Sequence, residues 1–328
     1  MKNVRWGIIG VGDVCEKKSG PAFYKIEHSS LDAVMRRNEE KAKDFALRHK
    51  VKRYYTDANE LINDPDIDAI YIATPPQSHK EYAIMAMKAG KPVYVEKPMA
   101  MSYTECIDML EVSKKTGQKL FTAYYRRALP YFLKVKELLD IQAIGKILSV
   151  DIKYLRLANE ADKDINTQPW RVKKEIAGEG YFFDMAPHTL DIMDFLLGEI
   201  IEAKGFAQNL GGFYDVADTV SATIKFQSGV IGIGLWCFVS SPQSEEDSIT
   251  IIGSDGYIRF NTFAFNPIQL ANKNGETFYE TPQPEHIQQP LVQTIVDELR
   301  GEGNCPSTGI SGARTSKVMD WIVEKEMK

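Results

Sequence analysis

Short apolar runs alternate with amphipathic helical segments over the first 122 residues. The runs are VRWGIIG, LDAVM, DAIYIA, PVYVE and KLFTAYY, and EEKAKDFALRHK and HKEYAIMAMKAG between them carry apolar residues at helical spacing. Gly90 stands where a helix C-terminal cap belongs, and Ser102 with Glu105 forms a capping box. This alternation predicts βαβ units on a doubly wound parallel sheet, an α/β domain over residues 1–122.

The rest of the chain, residues 123–328, has a different pattern. A helical segment, YFLKVKELLD, precedes long alternating segments such as VSATIKF and VIGIGLWCF, which the letters QSG join like a hairpin. The last segment, GARTSKVMDWIVEKEMK, predicts an amphipathic helix. We therefore expect a second domain of α+β type over residues 123–328, built on a large, mostly antiparallel open sheet.

One face of the VIGIGLWCF strand carries Gly232, Gly234 and Trp236. A flat face of this kind could lie against another sheet, which predicts an oligomer interface. The alternative is ordinary packing inside the domain.

Composition and charge exclude several classes of partner. The chain has 328 residues, 44% of them hydrophobic, and its formal net charge of −5, without a lysine and arginine stripe, argues against nucleic acid. The four cysteines are widely spaced and indicate reduced thiols rather than a zinc or disulfide framework. The most apolar run, residues 229–239, is shorter than the roughly 20 residues of a membrane helix, and the N-terminus lacks a signal peptide's apolar region. We expect a cytoplasmic protein without a membrane or nucleic-acid partner.

The first apolar run ends in a glycine turn, GIIGVGDVCE. Gly10 and Gly12 have the spacing of the first two glycines of G-x-G-x-x-G, while Val14 and Cys15 stand where a third glycine would complete it. Glycines there let backbone N–H groups approach a pyrophosphate at a helix N-terminus. The turn predicts a dinucleotide site that includes Asp13 and Val14; the alternative is a simple tight turn.

The end of the second apolar run indicates the choice of cofactor. A protein selective for NAD usually has an acidic residue there to hold the ribose 2′-hydroxyl, but this chain has Arg36 and Arg37. Two guanidinium groups would favour a 2′-phosphate. NADP is therefore the predicted cofactor, with NAD as the second choice; the alternative is that both arginines only face solvent.

Two further strand ends carry candidate ligand-binding residues. In ATPPQSH we expect Thr74, Pro75 and His79 to lie under a cofactor, although a rigid turn with a capping histidine is the alternative. In VEKP the charged pair Glu96 and Lys97 directly follows a buried strand, at the end where parallel sheets bind ligands.

A helical segment of the second half carries a polar stripe. Asp184, His188 and Asp191 are spaced to share one face of a helix. Because Pro187 fits best in the first turn of a helix, Asp184 could instead be its N-cap. No further ligand cluster supports a metal site there.

Together, the glycine turn, ATPP, VEKP and GEGYFFDMAPHTLDIMDFLLG resemble the Gfo/Idh/MocA oxidoreductases, and the resemblance covers nearly the whole chain. It implies an N-terminal Rossmann domain. It also implies that Lys97 lies beside the nicotinamide and contacts the reacting oxygen, that Asp184 orients substrate hydroxyls, and that His188 transfers the proton. These three are the expected catalytic residues. QPWR resembles the family's Trp-Arg pair near the cofactor, which adds Trp170 and Arg171.

Two stretches depart from the family pattern. Tyr125 stands where many relatives have Asn, and DMAPH replaces the common small residues between the aspartate and the histidine. Both lie on the wall of the implied substrate pocket. The resemblance implies hydride transfer between NADP(H) and a secondary alcohol or ketone of a sugar, polyol, dihydrodiol or related small molecule. With the flat sheet face, it suggests a homodimer or homotetramer through the C-terminal sheet. The alternatives are an NAD-dependent glycosidase and a non-catalytic dinucleotide sensor.

Overall fold

The computed structural model describes residues 2–324. The chain divides into two compact units: the first comprises Met1–Leu129 and Pro284–Ala313, and the second comprises Pro130–Gln283 and Arg314–Lys328.

The first unit contains a six-stranded parallel sheet. Five of its strands coincide with the five apolar runs, and the third along the chain, Arg53–Tyr55, has no such run. Its strands are β1 Val4–Ile9, β2 Ser29–Met35, β3 Arg53–Tyr55, β4 Ala69–Ile72, β5 Val93–Val95 and β6 Leu120–Thr122. Its first helices are α1 Asp13–Lys17, α2 Glu39–Arg48, α3 Ala58–Ile62, α4 His79–Lys88 and α5 Tyr103–Thr116. The strand order is β3-β2-β1-β4-β5-β6, so the sheet reverses its direction of growth between β1 and β4. The central strands are apolar on both sides because helices cover both faces.

The second unit contains an eight-stranded sheet, which confirms the predicted mostly antiparallel architecture. Its helices are α6 Pro130–Asp140, α7 Lys174–Ala177 and α8 Gly180–Leu197. Its strands are β7 Ile147–Leu155, β8 Ile200–Gln208, β9 Thr219–Phe226, β10 Ile231–Cys237, β11 Glu246–Gly253, β12 Gly256–Phe260, β13 Ile268–Asn272 and β14 Gly275–Tyr279. They lie in the order β14-β13-β12-β11-β7-β10-β9-β8, antiparallel except for the β7 and β10 pair. The predicted hairpin is the β9 and β10 pair.

The glycine face of β10 points into the second unit, which corrects the expectation that this face is available for an interface. A Cβ at Gly232 would lie 2.8 Å from a methyl group of Val150, and one at Gly234 would lie 2.4 Å from the Trp236 ring. The indole therefore occupies the space above Gly234. The opposite face of the strand is the exposed one: Ile231 is 43% exposed and Ile233 is 55% exposed.

The segment Pro284–Ala313 packs with the first unit, although the pattern assigns it to the second domain. It contains α9 Gln289–Arg300 and the start of α10 Gly309–Ile322. The Ser307 hydroxyl donates to the Thr122 carbonyl at 2.7 Å. A Cβ at Gly312 would lie 2.3 Å from the Thr122 hydroxyl. These buried contacts join segments that lie far apart in the sequence; Ser307 and Thr122 are 185 residues apart. Local hydrophobic periodicity therefore does not reveal them.

The predicted C-terminal amphipathic helix is present as α10, and residues 325–328 of that prediction lie outside the described part of the chain. None of the helices in the described range 2–324 has the length and apolarity needed to cross a membrane.

Candidate active site

The glycine turn lies at the reversal point of the parallel sheet, where β1 and β4 are neighbours. Gly10 has φ +94°, and a Cβ there would lie 2.6 Å from the Thr74 methyl and 2.9 Å from the Thr74 amide nitrogen, so only glycine fits. Gly12 is different. Its backbone is extended, and the nearest atom to an added Cβ would be the Gly10 carbonyl oxygen at 4.0 Å. Open space beside Gly12 lets a ligand approach the backbone, next to Asp13 and Val14 in the first turn of α1.

Arg36 and Arg37 follow β2, but their surroundings differ. The Nη1 of Arg36 donates to the carbonyl oxygen of Val11 at 2.9 Å, so this guanidinium supports the glycine turn. Arg37 is exposed, and it makes neither a hydrogen bond nor an ion pair with any residue of the described range 2–324. Arg36 is thus already tied to the turn by one donor, whereas all five donors of Arg37 remain open to a ligand.

The turn after β4 is braced from inside. The Ser78 hydroxyl donates to the Thr74 hydroxyl at 2.8 Å and reaches the Pro75 carbonyl at 3.1 Å. His79 is fully buried, with Nε2 2.7 Å from the Thr74 carbonyl oxygen and Nδ1 3.0 Å from the Pro98 carbonyl oxygen. Both ring nitrogens therefore meet protein atoms. His79 supports the turn from below instead of making the direct cofactor contact that the sequence predicts.

Glu96 is buried and accepts hydrogen bonds from three directions. The Tyr71 hydroxyl donates to Oε1 at 2.6 Å, the Gln288 amide donates to the same oxygen at 2.7 Å, and the Lys97 backbone N–H donates to Oε2 at 3.1 Å. Tyr94 completes the network by donating to Gln288 Oε1 at 2.9 Å. Burial first, and then the Glu96 charge, raise the pKa of both tyrosines well above 10, so both remain proton donors. Glu96 thus anchors the strand end and the segment that contains Gln288.

Lys97 stands directly after this anchor, half-buried at the carboxyl end of β5. Its own N–H donates to Glu96, and the Nδ1 of His79 lies 3.0 Å from the carbonyl oxygen of the following Pro98. The backbone on both sides of Lys97 therefore lies against a buried polar side chain. The glycine turn, the Thr74 turn and Lys97 all follow strand ends of one parallel sheet, and such ends lie along the same edge.

Tyr125 also belongs to the first unit. It begins a short 3-10 helix after β6 and is 8% exposed, with the Arg126 guanidinium 5.0 Å from its ring centre. Tyr125, which the sequence predicts on the wall of the substrate pocket, is thus a mostly buried ring.

Helix α8 of the second unit carries Asp184, His188 and Asp191 on one face. The helix begins at Gly180, after Glu179 as N-cap, so the alternative that Asp184 caps the helix is wrong. Pro187 lies inside the helix, where it has no N–H for the carbonyl four residues earlier. His188 is 6% exposed and meets the Phe263 ring edge-on, with ring centres 5.6 Å apart.

Arg171 lies between Trp170 and Asp184 and contacts both. The Nε of Arg171 donates to Asp184 Oδ2 at 2.9 Å, and the guanidinium carbon lies 4.7 Å from the centre of the Trp170 ring. The indole and the carboxylate together restrict the guanidinium, which in turn orients Asp184. The structure therefore brings three predicted residues, which lie within 13 positions of Arg171 in the sequence, into one cluster of the second unit.

Gln288 and Tyr71 are missed by the sequence reasoning. Tyr71 is one of several apolar-looking positions in a buried strand, and Gln288 lies 192 residues from the carboxylate that it contacts. No local signal marks either residue. In the described range 2–324, no group of three or more His, Cys, Asp or Glu side chains is arranged to hold a metal ion.

Comparison with known proteins agrees with this architecture. A family model described as an oxidoreductase family with an NAD-binding Rossmann fold matches residues 4–124, and the model of the GFO/IDH/MocA C-terminal domain matches residues 132–259. The chain belongs to the Gfo/Idh/MocA family of oxidoreductases, and its first unit is an NAD-binding Rossmann fold.

Individual relatives cover nearly the whole chain. Oxidoreductase P35 of Formosa agariphila is 40% identical over 322 residues, which are 97% of each chain. The trans-1,2-dihydrobenzene-1,2-diol dehydrogenase of Xenopus laevis is 27% identical and covers 88% of this chain and 83% of its own. Among solved structures, levoglucosan dehydrogenase in complex with NADH superposes with a TM-score of 0.89 at 25% identity, covering 98% of this chain and 96% of that chain.

Proposed function

We propose that this oxidoreductase prefers NADP(H) and transfers hydride between the nicotinamide and a secondary alcohol or ketone of a sugar, polyol, dihydrodiol or related small molecule. The observation that carries the proposal is Lys97, whose flanking backbone meets the buried Glu96 and His79 side chains at the same sheet edge as the glycine turn. The names of the dihydrodiol and levoglucosan relatives support the substrate class.

The residues around the glycine turn fit a dinucleotide. Open space beside Gly12 admits a pyrophosphate, and Arg37, with the remaining donors of Arg36, suits a 2′-phosphate. The bound nicotinamide would supply the hydride chemistry. The chain's own residues would bind the cofactor and manage the proton.

In the proposed reaction, three side chains act on the substrate. The Lys97 ammonium stabilises the negative charge that develops on the reacting oxygen. Asp184, oriented by Arg171, accepts hydrogen bonds from substrate hydroxyls. His188 gives or takes the proton, a role that imidazole side chains commonly fill in enzymes.

The test is a screen of sugars, polyols and dihydrodiols at a fixed NADP(H) concentration, in which turnover is monitored through the absorbance of reduced nicotinamide. We expect Lys97→Met to bind NADP(H) nearly as well as the parent but to lose about 10²-fold or more in kcat, because the charge matters most when the oxygen becomes anionic. The exposed Lys88 provides the matched control, Lys88→Met, with unchanged kcat.

His188→Asn should lower kcat and remove one limb of the pH–rate profile. If kcat of Lys97→Met stays within about threefold of the parent, Lys97 is structural and the mechanism is wrong. NADP(H) binding without turnover on any substrate class would favour a dinucleotide sensor.

We also propose that the chain forms a homodimer or homotetramer through the exposed face of the eight-stranded sheet. Ile231 and Ile233 are exposed on β10, and Phe206 on β8 is 78% exposed, which gives an apolar surface on the face opposite the glycines. Light scattering at micromolar concentration should show a multimer that Ile233→Asp dissociates. Leu47→Asp, at a 79% exposed position on α2, is the control that should not. A monomeric parent contradicts the proposal.

A further inference from the structure

His79 joins two loops of the predicted site from a completely buried position. It is the first residue of α4, and its ring lies between the turn after β4 and the turn that carries Lys97. Its Nε2 is 2.7 Å from the Thr74 carbonyl oxygen, and its Nδ1 is 3.0 Å from the Pro98 carbonyl oxygen. The ring thus lies between the Thr74 and Pro98 carbonyl groups, which no strand pairing connects.

Each of these loops touches a different part of the site. Thr74 packs so closely on Gly10 that a Cβ there would lie 2.6 Å from the Thr74 methyl. Pro98 directly follows Lys97, whose N–H is held on its other side by Glu96. A shift of the Pro98 carbonyl would therefore move Lys97 relative to the glycine turn.

We propose that His79 is a positioning residue, which holds the Pro98 carbonyl and thereby sets the place of the Lys97 ammonium relative to the bound cofactor. This inference rests on the proposed function, since it assigns Lys97 to the reacting oxygen. It differs from a cofactor-binding role because the buried ring presents no nitrogen to a ligand. Small displacements of a catalytic group of this kind cost large factors in rate.

The two carbonyl partners determine how the ring can work. A carbonyl oxygen only accepts, and a neutral imidazole has a single N–H, so the neutral ring donates to one of the two. Burial is the main influence on His79 and lowers its pKa, which favours the neutral ring. Positioning of Lys97 requires that the N–H be on Nδ1, facing Pro98.

Two amide substitutions separate the two contacts. In His79→Asn the side-chain amide takes the place of Nδ1 and can donate to the Pro98 carbonyl. In His79→Gln the longer side chain places its amide near Nε2, where it can donate to the Thr74 carbonyl. The two variants have similar polarity, and each retains one of the two contacts.

The first readout is kcat beside the dissociation constant of NADP(H). We expect His79→Asn to keep kcat within about threefold of the parent and His79→Gln to lose about tenfold or more, while both bind NADP(H) within about threefold of the parent. Equal kcat in the two folded variants, with only the melting temperature lowered, overturns the proposal and leaves His79 a structural residue.

The second readout does not need turnover. The pH dependence of acylation of the Lys97 amine, measured by mass spectrometry, reports the surroundings of this group directly. We expect the profile of His79→Gln to shift from that of the parent and the profile of His79→Asn to coincide with it. If the parent transfers no hydride, the proposed function fails, yet the acylation profiles still decide whether His79 positions Lys97; coincident profiles in all three proteins overturn the inference.

Discussion

Arg37→Asp tests the choice of cofactor with little disturbance of the fold. Arg37 is exposed and has no hydrogen-bonding or ionic partner in the described range 2–324, so its replacement breaks no hydrogen bond or ion pair within that range. Arg36 differs because its Nη1 donates to the Val11 carbonyl at 2.9 Å. Loss of Arg36 would therefore disturb the glycine turn for either cofactor.

The expected size of the NADP preference follows from the hydrogen bonds that Arg37 can donate to the 2′-phosphate. A charge-assisted hydrogen bond contributes about 1.5–3 kcal/mol, which corresponds to a preference of about tenfold to about a hundredfold. Because Arg37 is exposed, solvent and salt screen its interaction with a phosphate, and the lower end, about tenfold, is the expected size. Arg37→Asp also sets a carboxylate near the phosphate, so the preference should fall further or reverse.

The assay is kcat/KM for NADP and for NAD in the parent, Arg37→Asp and Arg36→Asp at two ionic strengths. We expect Arg37→Asp to lose activity with NADP alone and Arg36→Asp to lose activity with both cofactors. Added salt should erode the NADP preference of the parent. A parent that prefers NAD, or an Arg37→Asp protein with the parent's ratio, would show that these arginines point away from the ribose.

Three further predictions concern the turn, the buried carboxylate and pH. Gly12→Ala should melt like the parent but bind NADP(H) more weakly, whereas Gly10→Ala should also lose about 1–3 kcal/mol of stability because of its positive φ. Thermal melts and cofactor titrations distinguish the two effects. Normal NADP(H) binding by Gly12→Ala would exclude a pyrophosphate beside Gly12. Glu96→Gln should cost about 1–3 kcal/mol in urea unfolding, since its amide would face another donor, and an unchanged midpoint would contradict that network. The Arg48 guanidinium lowers the pKa of Glu16 from 4.5 to about 2, so the ionised carboxylate contributes its full stability above pH 4.5. The difference in melting temperature between the parent and Glu16→Gln should therefore shrink as the pH falls from 4.5 to about 2. A difference that does not change with pH would refute the ion pair.

Much of the fold is predictable from local pattern. The apolar runs correspond to strands of the parallel sheet because a strand covered by helices on both faces needs apolar residues throughout. The glycines at 10 and 12 and the charged pair at 96 and 97 stand at strand ends, and parallel strands bring such ends to one edge. The position of these candidate residues on the sheet therefore follows from the sequence.

The outward face of β10 could not be predicted in the same way. Both faces of this strand are apolar, with Gly232, Gly234 and Trp236 on one side and Ile231 and Ile233 on the other. An alternating pattern separates two faces but does not decide which one is covered when both are apolar. The covered face is the one on which the Trp236 ring packs over Gly234.

The sequence by itself determined the succession of strands and helices, the tight glycine turn and the charged pair at a strand end, because these depend on residues that are neighbours in the chain. Only the tertiary structure decided that Glu96 accepts from Gln288, that His79 faces two carbonyls and that Arg171 pairs with Asp184. The physical reason is that a buried polar group must find a partner wherever the fold brings one, and its partner leaves no periodic signal in the sequence.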